Sequence, residues 1–390
     1  MFPRVLAPPK KTFFLFGPRG TGKSTWLGQH FSNAAVAIDL LNSTTYLRLL
    51  TKPDDLAVLT AHLPPGSWVV IDEVQRVPEL LTEVHALYEK RKLQFALTGS
   101  SARRLRRGGA DMLAGRALVR DMFGLVYPEL PAAFDIESRL RWGSLPGLVA
   151  EPQYAADFLS SYVETYLRQE IMAEGLVRRL EPFARFLSVA GAMNGQVLNM
   201  QNVARESHVA RATVDQYFEI LEDTLLGTRL TPYRPGALVK EISHPKFYFF
   251  DAGVGRGAAN LLAEPFDSVA RGFALETILL SELRAYNHYR AKGRGIFYYH
   301  SEGGLEVDFI VELKRKTLQK PAEIICIEAK SASKWDPRWC KPIRSLAGKK
   351  ALTVAKSMGV YLGKERLSYE GFDVWPLELF LEQLHAGMFF

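Results

Sequence analysis

Three short stretches hold side chains whose types and spacing could do chemistry. In GPRGTGKST, glycines at 17, 20 and 22 let the backbone curl so that its N–H groups converge on phosphate oxygens at the start of a helix. Lys23 then neutralises the β and γ phosphates and the Ser24 hydroxyl ligates magnesium, with Thr21 and Thr25 in the same nucleotide-binding set. In SWVVIDEVQ an apolar run ends in two carboxylates: Asp72 to orient magnesium through water, Glu73 to polarise the attacking water. In IICIEAK, Glu328 and Lys330 stand two apart on an extended chain, so they share a face while Ile325, Ile327 and Ala329 take the other.

Two further carboxylates belong with that last pair. Asp308, in GLEVDFIVEL, lies on the Glu306 and Ile310 side of a strand, and the charged stretch KRKTLQKPA makes a loop to the next strand. An antiparallel pair would bring Asp308 and Glu328 together as magnesium ligands, with Lys330 beside them to stabilise a hydroxide or a phosphorane-like transition state. Glu276 falls within an apolar helical stripe of Val269, Phe273, Leu280 and Leu283, where a carboxylate is costly unless paired or metal-bound. Its expected partner is the Asp308, Glu328 and Lys330 cluster. The competing reading is an inert buried ion pair between Glu276 and Lys330.

Strand-like segments at 12–16, 35–40, 68–72, 94–98 and 117–122 alternate with helical stretches, the pattern of a parallel α/β sheet around a P-loop. If the 94–98 strand lies beside the first, Thr98 and Ser100 are placed to sense the γ-phosphate. Arg103, Arg104, Arg106, Arg107 and Arg116 follow, candidates for a guanidinium donated to a neighbouring subunit's nucleotide. For the four clustered arginines a solvated basic loop is an equal reading, which leaves Arg116 as the better candidate.

The middle of the chain reads as helices. FLSSYVETYLRQEI puts Phe158, Leu159, Tyr162, Val163, Tyr166 and Leu167 on one core-facing stripe, and a later helix turns Val214, Tyr217, Phe218 and Leu221 inward. Helix, turn, helix and then the strand-like GTRLTPY and KFYFFD is the order of a winged helix. Its second helix offers Arg211, Thr213 and Gln216 but also Asp215, Glu219, Glu222 and Asp223, so packing and DNA contact stand level.

With 390 residues, 47% apolar and 23% charged, the chain has ample core and the length of several domains. A net charge of +7 suits an anionic partner or plain solubility. Two cysteines, Cys326 and Cys340, make neither a disulfide framework nor a metal quartet. The N-terminal MFPRVLAPPKK lacks the apolar core of a secretory signal, and no run approaches the roughly 18 residues of a spanning helix. A cytoplasmic protein with no membrane contact is expected.

The set GPRGTGKST, WVVIDEVQ, LTGSSARRL, LAGR, VYPEL at 126–130, KFYFFDAGVG, FALET, EVDFIVE and IEAK resembles the prokaryotic ATPases that join an AAA-type P-loop core to a C-terminal domain of unknown function with a restriction-endonuclease-like, PD-(D/E)xK, fold. The resemblance covers nearly the whole chain. It implies ATP and Mg2+ at Lys23, Ser24, Asp72 and Glu73, and nuclease-like positions at Glu276, Asp308, Glu328 and Lys330. Members often carry an acidic pair where this chain has YLRQEI, around Gln169 and Glu170.

The expected architecture is an α/β chain: a P-loop core over 1–130, a helical lid or linker over 131–178, a winged helix over 179–250 and a nuclease-like α/β domain over 251–390. The leading functional expectation is a DNA-processing ATPase, a translocating or branch-migrating motor that works as a homo-oligomer, for instance a hexamer. Its C-terminal domain would grip or cleave DNA. The other reading is a nucleotide-controlled switch acting on a protein partner.

Overall fold

The computed structural model describes the chain except residues 1, 101–112, 133, 168–170, 172–176, 178, 235–243, 302 and 349–351. Arg103, Arg104, Arg106, Arg107, Gln169 and Glu170 therefore lie outside the described residues. The chain divides into two compact units, Met1–Gly124 with Glu219–Leu226, and Leu125–Phe218 with Gly227–Phe390.

The first unit is built on β1 (Phe13–Phe16), β2 (Val36–Asp39), β3 (Trp68–Asp72), β4 (Gln94–Gly99) and β5 (Leu118–Asp121). All pair in parallel, in the order β2-β3-β4-β1-β5. Strands buried on both faces are apolar throughout rather than alternating, and FFLF in β1 is wholly buried. Phe14 and Phe16 join Ile71, Phe95 and Leu97 in one core. Phe13 packs instead with Trp26, Phe31 and Trp68. The five strand-like segments read from sequence thus map onto five strands, and β4 does lie beside β1, in register from Phe13 opposite Ala96 to Phe16 opposite Gly99.

The second unit opens with helices. Leu159, Tyr162 and Val163 are buried as their spacing predicts, although the helix Ala155–Ser161 passes at Tyr162 into a wider π-helical turn. Helices Leu180–Ala192 and Met200–Ser207, and helix Arg211–Asp223, whose residues from Glu219 onward belong to the first unit, precede an antiparallel pair, β6 (Gly227–Leu230) and β7 (Lys246–Phe249). The 195–198 stretch lies along the other side of β7, with Gly195 N–H donating to the Phe247 carbonyl at 2.7 Å and a bridge between Val197 and Lys246. Asp251 is a structural residue: its carboxylate caps helix Ala252–Ala258 at Val254 N–H, 3.1 Å, and accepts Ser144 N–H at 2.7 Å.

A six-stranded mixed sheet follows, comprising β8 (Gly295–His300), β9 (Glu306–Lys314), β10 (Ala322–Lys330), β11 (Leu352–Tyr361), β12 (Leu367–Tyr369) and β13 (Phe372–Pro376). Their order is β12-β13-β11-β10-β9-β8. One face of β10, Ile325, Ile327 and Ala329, packs in a core with Leu275, Ile278 and Leu279 of helix Ser268–Tyr289 and Phe380, Leu381 and Leu384 of helix Leu377–His385. The other face, Ile324 and Cys326, meets Ile343 and Leu346 of helix Lys341–Ala347. Both cysteines are free and buried. Among the described residues no helix is long and apolar enough to cross a membrane.

Candidate functional sites

The first site forms where β1 runs into helix Lys23–His30. Gly20 and Gly22 hold φ of 80° and 91°, a region that favours glycine, and a Cβ on Gly17 would lie 2.5 Å from the Met122 carbonyl oxygen. The loop is therefore built by glycine at these three positions. Lys23 is buried, its ammonium donating to the carbonyls of Gly17 at 2.7 Å and Pro18 at 3.1 Å. Thr21 is tied into the loop through its hydroxyl on Pro18 O at 2.8 Å, whereas Ser24 and Thr25 are exposed. No acidic residue occupies the first turn of the helix, so its N-terminal partial positive charge is not offset within that turn. This cradle fits a triphosphate, with Ser24 and Asp72 as the residues that would hold magnesium.

The strand order brings the acidic residues of β3 next to the end of β4. Thr98, mid-site on β4, accepts Glu73 N–H on its hydroxyl at 3.1 Å and donates that hydroxyl to Asp72. Glu73 leaves β3 in the left-handed region, φ 60°. Such a backbone is unusual for a non-glycine residue and is held here by that Thr98 bond. The side-chain amide of Gln75 donates to both the Glu73 carboxylate and the Ser100 hydroxyl, the latter at 3.1 Å. Glycine at 99 leaves room for this amide, since a Cβ there would stand 2.7 Å from Gln75 Oε1. Sequence reasoning placed Asp72, Glu73, Thr98 and Ser100 here and missed Gln75, the residue that links them. Arg116 is half exposed and ion-paired to Glu89 of the same unit, whose carboxyl it holds below the ordinary range by hydrogen bond and charge.

The second site is in the mixed sheet. The β9–β10 ladder ends at Ile327 opposite Phe309. Beyond it the Asp308 carboxylate, not a backbone carbonyl, accepts Ala329 N–H at 2.7 Å. Asp308 and Glu328 are thereby buried side by side, with the Lys330 ammonium 2.5 Å from Glu328 and 3.8 Å from Asp308. They line a pocket of ≈ 390 Å³ shared with Phe273, Glu276, Glu306 and Lys246. Burial and the neighbouring Asp308 charge push the Glu328 carboxyl well up.

Glu276 lies in this pocket but not with the partner expected of it. Its carboxylate accepts the Tyr248 hydroxyl at 2.6 Å and lies 3.4 Å from the ammonium of Lys246, both on β7. Burial, with the Asp308 charge, raises its pKa to about 7 despite those two donors. Nor is its stripe as drawn from periodicity: Val269, in the first turn of the helix, is 62% exposed, while Leu280 and Leu283 are buried. The signal for Lys246 and Tyr248 was present, a lysine and a hydroxyl at i and i+2 on an otherwise apolar strand. As metal donors Glu276, Asp308 and Glu328 are right in type, and Glu328 Oε2 is buried with no hydrogen-bond partner. In position they are turned to protein donors, and among the described residues no three acidic, His or Cys groups converge on one point.

Residues 9–130 match the AAA domain family. The first unit carries an AAA-type ATPase domain. Residues 133–264 and 271–380 match two domains of unknown function, DUF8612 and DUF4143. An uncharacterized protein of Mycobacterium tuberculosis is 26% identical over 311 residues, covering 77% of this chain and 67% of its own length. One from Methanocaldococcus jannaschii is 22% identical over 420 residues, covering 93% and 84%. Among solved structures, the Aeropyrum pernix Orc1 protein in complex with DNA aligns over 66% of this chain and 87% of its own at 13% identity and a TM-score of 0.30. An overlap that loose defines neither fold nor ligand.

Proposed function

We propose that this chain is a magnesium-dependent ATP hydrolase that acts on DNA, with a restriction-endonuclease-like domain at its C-terminal end and a winged helix over 179–250. The observation that supports the ATPase reading best is the bonded group Asp72, Glu73, Gln75, Thr98 and Ser100 at the ends of β3 and β4, β4 being the neighbour of the strand that runs into the phosphate loop. It orients a magnesium-ordering carboxylate and a water-polarising one, while Gly17, Gly20, Thr21, Gly22, Lys23, Ser24 and Thr25 cradle the phosphates. In a homo-oligomer Arg116 would leave Glu89 and reach a neighbouring nucleotide.

The DNA reading rests on the pairing of Asp308, Glu328 and Lys330 at the end of the β9–β10 ladder. There the chain would grip DNA, or cut it when a divalent ion supplies Lewis-acid chemistry. ATP turnover measured with duplex, single-stranded and branched DNA tests this. Turnover should vanish in Lys23→Ala and rise severalfold with at least one DNA form. Turnover indifferent to every DNA would transfer the reading to a nucleotide-controlled switch on a protein partner, which the exposed Glu219 on helix Arg211–Asp223 favours over phosphate contact. Divalent-ion-dependent nicking, lost in Asp308→Ala and Lys330→Ala, would establish cleavage; equal nicking by all three preparations would refute it.

A further inference from the structure

The acidic pocket contains a cation that the chain brings from outside the mixed sheet. Lys246 opens β7, in the segment matching DUF8612, whereas Glu276, Glu306, Asp308 and Glu328 fall in the segment matching DUF4143. It is 4% exposed, far below what is usual for lysine. Its ammonium lies 2.5 Å from Glu306, 3.4 Å from Glu276 and 5.6 Å from the centre of the Tyr298 ring. Burial lowers the pKa of its ammonium, but the charges of Glu276, Asp308 and Glu306 outweigh burial and raise it above the ordinary lysine value.

Four carboxylates against the ammoniums of Lys246 and Lys330 leave the pocket two positive charges short when all are ionised. The Oε2 of Glu328 is buried without a partner, and among the described residues no three of the carboxylates converge on one point. Each is turned instead to a donor of the protein: Glu276 to Tyr248 and Lys246, Glu306 to Lys246, Asp308 to Ala329 N–H and Glu328 to Lys330.

We propose that Lys246 is a tethered cation that competes with a divalent metal ion for this pocket, holding Glu276 and Glu306 turned away from Asp308 and Glu328 until it withdraws. This rests on the reading that the pocket takes a divalent ion. Lys246 acts as a positioning residue, a counter-ion that lowers metal affinity, and Lys330 remains on the Asp308 and Glu328 side. A fixed positive charge within a few ångströms of a bound divalent ion repels it strongly where water is scarce. Removing that charge should therefore tighten the site even though it also removes a partner of two carboxylates.

The test is Mn2+ binding to the full chain without nucleotide, by electron paramagnetic resonance and calorimetry, in wild type, Lys246→Met, Lys246→Arg, Asp308→Asn and the double variant Lys246→Met with Asp308→Asn. Lys246→Met should bind one Mn2+ at least tenfold more tightly than wild type, Lys246→Arg should resemble wild type, and the double variant should lose the gain. Equal or weaker binding in Lys246→Met, with wild-type binding that Asp308→Asn removes, would overturn the competition and leave the metal reading standing. No binding above the double variant in any protein would overturn both. If Lys246→Met folds only with a divalent ion present, that rescue supports the proposal; if Mn2+ fails to restore it, the proposal falls.

Discussion

At the scale of single residues, the Glu73 carboxylate gives the sharpest test of the proposed ATPase reading. It stands at the end of β3 with its backbone held by Thr98 and its side chain by Gln75. Glu73→Gln keeps the amide contact in shape while removing the proposed base, so nucleotide affinity should survive. Turnover should fall by about 10²–10⁴-fold, the range general-base catalysis contributes. Calorimetry beside a turnover assay separates the two, and a variant that hydrolyses ATP at the wild-type rate removes Glu73 from the mechanism. The residues of this site were legible because the glycines, the lysine and the paired carboxylates stand at fixed spacings along the chain, each group at the end of an apolar strand. Lys246, Tyr248 and Glu306 were not assigned to the second site, because the contacts of Lys246 and Tyr248 with Glu276, and of Lys246 with Glu306, join segments distant in sequence. A lysine opening an apolar strand declares only that it needs a partner.

At the scale of elements, a buried ionic network fixes helix Ser268–Tyr289 against its neighbours. Glu282, wholly buried, meets Arg139 of helix Ile136–Trp142, His385 of helix Leu377–His385 and Tyr127 N–H at 2.8 Å. Burial raises the Glu282 pKa, but Arg139 and His385 outweigh it and hold the carboxyl below its ordinary value. A carboxyl so depressed stabilises the native state above its unfolded pKa, and that contribution fades as pH falls through the folded one. Wild type should therefore lose stability in acid below about pH 4.5. Arg139→Met, which leaves the Glu282 charge uncompensated, should cost about 3–5 kcal/mol near neutral pH. The cost should shrink in acid, where Glu282 is protonated; urea unfolding at two pH values checks it, and a pH-independent difference would contradict it. The strands themselves were readable from apolar runs, down to the antiparallel β9–β10 pair and its charged loop. The network was not, since nothing in sequence spacing ties Arg139 to Glu282 or His385.

At the scale of the whole molecule, the charge balance bears on the proposed partner. The chain carries 49 Lys and Arg against 42 Asp and Glu, a formal +7. The pocket of the mixed sheet is nevertheless acidic, so a DNA backbone would have to be met by basic groups elsewhere. Lys316 and Lys320 are exposed on the loop joining β9 to β10, whereas Lys314 and Arg315 pair with Glu323 and Glu312. From Asp308 that loop lies at the far end of β9, roughly 20 Å away at about 3.3 Å per residue. This is a spacing from which a duplex could contact both the loop and the pocket. Each phosphate neutralised adds about −0.9 to the slope of log affinity against log salt. DNA affinity measured by fluorescence anisotropy from low to physiological salt should thus fall steeply. Lys316→Ala with Lys320→Ala should flatten the slope by about two without changing sequence preference. A salt-independent affinity, or a slope untouched by the pair, would place the DNA contact away from this loop and shift weight to a partner recognised by shape rather than charge.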